Sequence, residues 1–149
     1  MKQMSYRKFG IMMIISFFVM YFAMFLNMDK LGHYHTSLTR IYMSLLMIAP
    51  MAVIMIGMMG SMYPNKSTNR IIVIAAIIIF ITALAGLRSQ TPISDVQYMK
   101  AMIPHHSSAI MTSKHAAIKD PEVKQLSEQI IRSQEKEIQQ MEQILQRMQ

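Results

Sequence analysis

Six side chains near the C-terminal end of the chain have the types and spacing for metal chemistry. Met99 and Met102 supply thioethers, His105 and His106 imidazoles, and about thirty residues later Glu137 and Met141 add a carboxylate and another thioether. A thioether is soft and needs no deprotonation, so methionine favours Cu(I) or Ag(I), whereas imidazole serves Cu(I), Cu(II) and Zn alike. The mixture points to copper first, as Cu(I), with Cu(II), Ag(I) and zinc behind it.

The same residues have a plainer reading. Met99, Met102 and Met141 can be packing residues, since methionine fills irregular gaps in cores, with His106 hydrogen-bonded to Gln134. Glu137 separates the two readings, because a carboxylate in an apolar stripe is costly without a metal, a histidine or a cation beside it; the alternative is a rotated helix that leaves Glu137 on the rim. Successive helical residues point about 100° apart, so His105 and His106 cannot both aim at one centre; His106 is assigned inward and His105 to the rim or a partner chain.

Two helices must position these groups. Ser94 is a natural N-cap with Asp95 in the first turn, opening a helix to about Ile118 that Pro104 should kink or restart. Asp120-Pro121-Glu122 places a cap, an N1 proline and a first-turn acid at the start of a second helix that runs to the C-terminus. Its apolar positions are Val123, Leu126, Ile130, Ile138, Met141, Ile144, Leu145 and Met148. Two helices joined so tightly predict an antiparallel hairpin in which Ala117 meets Val123, Ile110 meets Ile130, His106 meets Gln134, Met102 meets Glu137 or Ile138, and Met99 meets Met141. Sixty residues in one hairpin cannot bury a full core, so pairing with a second copy, as a homodimer or a higher homo-oligomer with a four-helix bundle, is the expected solution.

The remainder reads as a membrane anchor. Residues 9–28, 41–62 and 71–87 are apolar blocks without Asp, Glu, Lys, Arg or His, each near the ~20 residues that cross a bilayer as a helix. The fold class is thus all-α: residues 1–90 as a three-helix transmembrane region, residues 91–149 as a polar helical domain. The first block is too long for a signal-peptide core and lacks a small-residue cleavage site, so it is kept as a helix. Lys2, Arg7, Lys8, Lys66 and Arg70 flank one side of the spans and Lys30, Arg40 and Arg88 the other, which places the N-terminus in the cytoplasm and the C-terminal domain outside.

Charge and composition exclude other classes. Of the net +7, residues 1–90 carry eight cations against Asp29, whereas residues 91–149 carry seven charges of each sign. The basicity therefore belongs to membrane flanks, and no nucleic-acid surface is expected. With no cysteine there are no disulfides or thiolate ligands. The chain shows no nucleophile with its base and no Gly-rich phosphate loop, and it is read as a non-enzyme.

Methionine makes up 19 of 149 residues. Met43, Met47, Met51, Met55 and Met59 recur at every fourth position, a thioether stripe along the second span. It reads either as a Cu(I) relay, making the protein a component of an oligomeric copper or silver transporter, or as helix-packing and lipid-facing methionine. His33-x-His35, in the first loop, reads as solvated, and His115 as exposed rather than ligating. A third, non-metal reading makes the hairpin a membrane-tethered assembly module.

The segments Met99-x-x-Met102-Ile103-Pro104-His105-His106, Ala109-Ile110-Met111 and Gln134-x-x-Glu137-Ile138-x-x-Met141 resemble the domain-of-unknown-function family three-hundred-and-five over about residues 95–145, and the three-span front is similar to its membrane-anchored bacterial members. The resemblance implies a ferritin-like helical bundle in a bacterial cell membrane and a link to copper or silver handling outside the cytoplasm. It covers Met102, His105, His106, Glu137 and Met141. The resulting expectation is a membrane-anchored copper-binding protein for sequestration, tolerance or delivery.

Overall fold

The computed structural model describes residues 5–148, which are all-helical, with five α-helices and no strand among them. They are α1 (Tyr6–Ala23), α2 (Leu38–Met58), α3 (Lys66–Ser89), α4 (Asp95–His115) and α5 (Pro121–Arg147). Met1 to Met4, including the flanking cation Lys2, and Gln149 lie outside the described residues. The chain divides into two compact units, residues 1–23 with 40–92, and residues 24–39 with 93–149.

In the first unit, α1, α2 and α3 are each long and apolar enough to cross a membrane. The first span is shorter than its apolar block, because α1 ends at Ala23 and residues 24–28 leave the helix. Its core is built from Phe9, Ala49, Ala52, Ile56, Tyr63 and Ala76. Gly86 makes room for the Tyr42 ring: a Cβ there would lie 2.8 Å from it, and the Tyr42 hydroxyl donates to the Thr91 carbonyl at 2.7 Å. Asn65 caps α3 by accepting from the Thr68 N–H at 3.0 Å. The Ile71, Ile74, Ile77, Ile78 and Ile81 side chains of α3 are exposed, as a lipid-facing surface requires.

The methionine stripe divides along α2. Met43 and Met47 are exposed, whereas Met55 and Met59 pack against the core.

In the second unit, α4 begins at the expected cap, Ser94 accepting from the Gln97 N–H, and runs through Pro104 without interruption to His115, three residues short of expectation. Asp120 caps α5 by accepting from the Glu122 and Val123 N–H groups at 2.9 Å. The helices run in opposite directions: Ser127 donates to the Ser113 carbonyl at 3.3 Å near the connection, and His106 meets Glu137 farther along. The sums of paired numbers stay close to the expected constant, but α5 is rotated. Its inner face is Ser127, Ile131, Gln134, Ile138, Met141 and Leu145, packed on Met99, Ile103 and Ile110. Val123, Leu126 and Ile130, expected to meet α4, are exposed. The heptad 127-131-134-138-141-145 keeps Ile138 and Leu145 inside, and 123-126-130 lies off that seam.

The segment of residues 24–39 packs on α4 and is not the solvated loop expected for His33-x-His35. The fully buried Ser107 hydroxyl accepts from the Asp29 N–H at 2.9 Å and shares a hydrogen bond of 2.8 Å with His33 Nδ1. Asn27 donates to Ser108, and the Leu38 N–H donates to Gln97 Oε1 at 2.9 Å. Lys114 pairs with Asp29 at 3.0 Å, which holds the ammonium above its ordinary range.

Candidate metal centre

Three of the expected ligands are fixed by the packing of α4 on α5. Met99 is buried in the shared core with Ile103 and Ile138; Met141 packs against that core and lines one cleft with Met99. His106 is buried, and its predicted partner is corrected: its Nε2 lies 2.7 Å from Glu137 Oε2, and the Gln134 Oε1 atom is buried without a hydrogen bond. The residue rotation described above brings Glu137 to His106, one turn beyond Gln134.

The hydrogen bonds of His106 fix its tautomer. Nδ1 lies 2.8 Å from the Met102 carbonyl oxygen, which can only accept, so Nδ1 carries a proton. Nε2 is thereby the nitrogen left to a proton or a cation. A carboxylate oxygen 2.7 Å away cannot face a bare lone pair, so one positive species belongs between the two atoms. A ring that donates Nδ1–H to a backbone carbonyl and directs Nε2 toward other donors has the arrangement typical of metal-ligating histidine.

Glu137 does not lie in the apolar stripe: the rotation of α5 leaves its side chain 46% exposed on the rim, where both of its oxygens are used. Ser133, one turn earlier on α5, donates to Oε1 at 2.7 Å, while Oε2 faces His106. The Ser133 hydrogen bond first, and the His106 contact second, hold the Glu137 carboxyl below the usual carboxylate range. Sequence reasoning missed Ser133; the signal was its i, i+4 spacing to Glu137, which puts both on one helix face.

Glu137 also lines an open cleft of about 510 Å³ with Asp95, Tyr98, Met99, Met141 and Met148. Of the six predicted ligands, His106 and Glu137 are thus in direct contact, and Met99 and Met141 line the open cleft that Glu137 borders. Met102 is half-buried and enters the arrangement through its carbonyl. His105 is exposed, its ring against that of His106 at 5.9 Å between centroids. His115 is exposed, as expected, with Nδ1 2.9 Å from the Met111 carbonyl. Among the described residues no three of His, Asp and Glu form a group able to hold a metal. The thioethers of Met99, Met141 and Met148 line the same cleft as Glu137.

Residues 81–145 match the model of the family described as Domain of unknown function (DUF305). A curated relative, "Uncharacterized protein L153" of Acanthamoeba polyphaga mimivirus, is 40% identical over 139 residues, covering 91% of this chain and 90% of that protein. No solved structure matches the chain. The chain belongs to the DUF305 family, with a helical C-terminal part preceded by three helices able to cross a membrane.

Proposed function

We propose that this protein is a membrane-anchored, extracytoplasmic copper-binding protein, which captures Cu(I) and lowers free metal or passes it on. The observation that carries the reading is His106, whose Nδ1–H is committed to the Met102 carbonyl while Nε2 faces Glu137, beside a cleft that also holds Met99 and Met141. His106, Glu137 and the two methionines would hold the ion, replacing the proton between imidazole and carboxylate. His105 and Met102 lie on the same helix toward solvent and suit the approach to that site. The helices α4 and α5 act as a hairpin, and a second copy completes a four-helix bundle by covering the exposed Val123, Leu126 and Ile130. The N-terminus lies in the cytoplasm and the helical domain outside.

The test is a titration of the purified full chain with Cu(I) against a competing chelator. His106→Gln and the double variant Met99→Leu, Met141→Leu should each weaken binding on the order of tenfold or more. Unchanged affinity in both would reject the site. Copper flux into vesicles that is lost on leucine replacement of Met43 to Met59 would favour the transporter reading instead.

A further inference from the structure

The first unit contains no Asp or Glu at all: in residues 1–94 the single carboxylate side chain is Asp29, which belongs to the second unit. Its cations nevertheless gather. Arg7 and Lys8 stand in the first turn of α1, and Lys66 and Arg70 in the first two turns of α3; all four are exposed. These two helix ends are tied side by side. The Tyr6 hydroxyl lies 2.8 Å from Asn69 Oδ1 and accepts from the Asn65 N–H at 3.1 Å, and the Tyr6 and Tyr63 rings pack at 5.4 Å.

Four cations thus share one end of the unit, with no acid in the first turn of either helix. Helix N-termini are themselves the positive ends of the backbone dipole, so nothing in the fold offsets the charge there. Among the described residues none of the four forms an ion pair. The counter-charge must come from outside the unit.

We propose that this collar binds the phosphate headgroups of anionic lipids. The inference rests on the reading that α1, α2 and α3 span a bilayer, and it is independent of metal binding. A spanning bundle places helix ends at the headgroup level, where anionic lipid is the negative charge at hand, and basic residues next to spans are drawn to it. Lys66 and Arg70, one turn apart, and Arg7 and Lys8 then contact phosphates around one rim, with the tyrosine pair at the interface between apolar and polar zones.

The full chain, reconstituted in phosphatidylcholine bilayers, is probed with spin-labelled phosphatidylglycerol or spin-labelled phosphatidylcholine. The motionally restricted lipid fraction is read by electron paramagnetic resonance. The expected result is a several-fold preference for phosphatidylglycerol that falls with added salt. The preference disappears in the Arg7→Gln, Lys8→Gln, Lys66→Gln, Arg70→Gln variant and persists in a Lys119→Gln, Lys124→Gln, Lys136→Gln control. Should the fourfold variant fail to insert, the salt dependence of the unaltered chain and the paired variants Arg7→Gln, Lys8→Gln and Lys66→Gln, Arg70→Gln carry the test. Equal restriction of both lipids overturns the proposal, and so does a preference abolished equally by millimolar inorganic phosphate, which assigns the collar to free phosphate. The absence of any restricted lipid would instead reject the membrane-spanning reading.

Discussion

The imidazole of His106 and the carboxylate of Glu137 meet at 2.7 Å across α4 and α5, and each is held from behind, His106 by the Met102 carbonyl and Glu137 by the Ser133 hydroxyl. Four groups on two helices therefore share one chain of hydrogen bonds, and the order of those bonds assigns each a distinct test.

Ser133→Ala removes the largest influence on the Glu137 carboxyl. Its titration midpoint should move up toward the ordinary carboxylate range, followed by the side-chain carboxyl resonance of Glu137 in nuclear magnetic resonance. A midpoint that does not move would assign the control of Glu137 to His106 alone.

The rotated face of α5 predicts unequal costs for two chemically similar truncations. Ile138 is 2% exposed and Leu126 is 54% exposed. Ile138→Ala should cost about 2–5 kcal/mol by loss of burial and creation of a cavity, whereas Leu126→Ala should stay within about 0.5 kcal/mol in the monomer. Thermal unfolding in detergent, followed by circular dichroism, measures both. A large Leu126 effect that depends on protein concentration would be the signature of the dimer.

Burial first, and then the neighbouring Lys100 ammonium, hold the His35 imidazole below its ordinary range, against an opposing influence from Glu142. The folded protein thus resists protonation that the unfolded chain accepts. Stability is fully present above the unfolded imidazole value of about 6.5 and is lost as pH falls from there through the lower folded value. His35→Gln should flatten the decline in this window, measured as midpoint temperature against pH.

Ser107 is fully buried and serves both the Asp29 amide and His33. In Ser107→Ala the Asp29 N–H loses its acceptor, which costs about 1–3 kcal/mol locally. Amide hydrogen exchange should quicken at Asp29 and along residues 24–39 while the α5 core amides keep their protection.

Gly86→Ala would press a methyl group into the Tyr42 ring at 2.8 Å. The expected cost is about 1–3 kcal/mol, with Tyr42→Ala in the same chain relieving the clash, as thermal unfolding in detergent can show.

Much of this architecture was legible in the residues. The apolar blocks announced α1 to α3, and Ser94 and Asp120 marked the starts of α4 and α5 to the residue, because capping is a local rule that depends on a few neighbours. Counting outward from the connection led to Met99 and Met141 lying at the same level, and both line one cleft. What escaped was rotation. Val123, Leu126 and Ile130 have helical spacing, but so does Ser127, Ile131, Gln134, and hydrophobicity alone chose the wrong row. Only the packing of Ile138 and Leu145 against Ile103 and Ile110 selects the face, and with it Glu137 over Gln134 as the partner of His106. The role of residues 24–39 was hidden for another reason: Ser107, Ser108 and Gln97 contact it through polar groups that carry no periodic signal.

Because residues 24–39 fold with α4 and α5, the polar unit is discontinuous in the chain, and the polypeptide passes between the two units three times, after residues 23, 39 and 92. A secreted fragment cut just ahead of Ser94 would consequently be an amputated module, with Gln97 and Ser107 stripped of their mates and Lys114 left with Glu135 alone. A faithful water-soluble version has to splice the Met24–Thr39 strap back onto the helix pair.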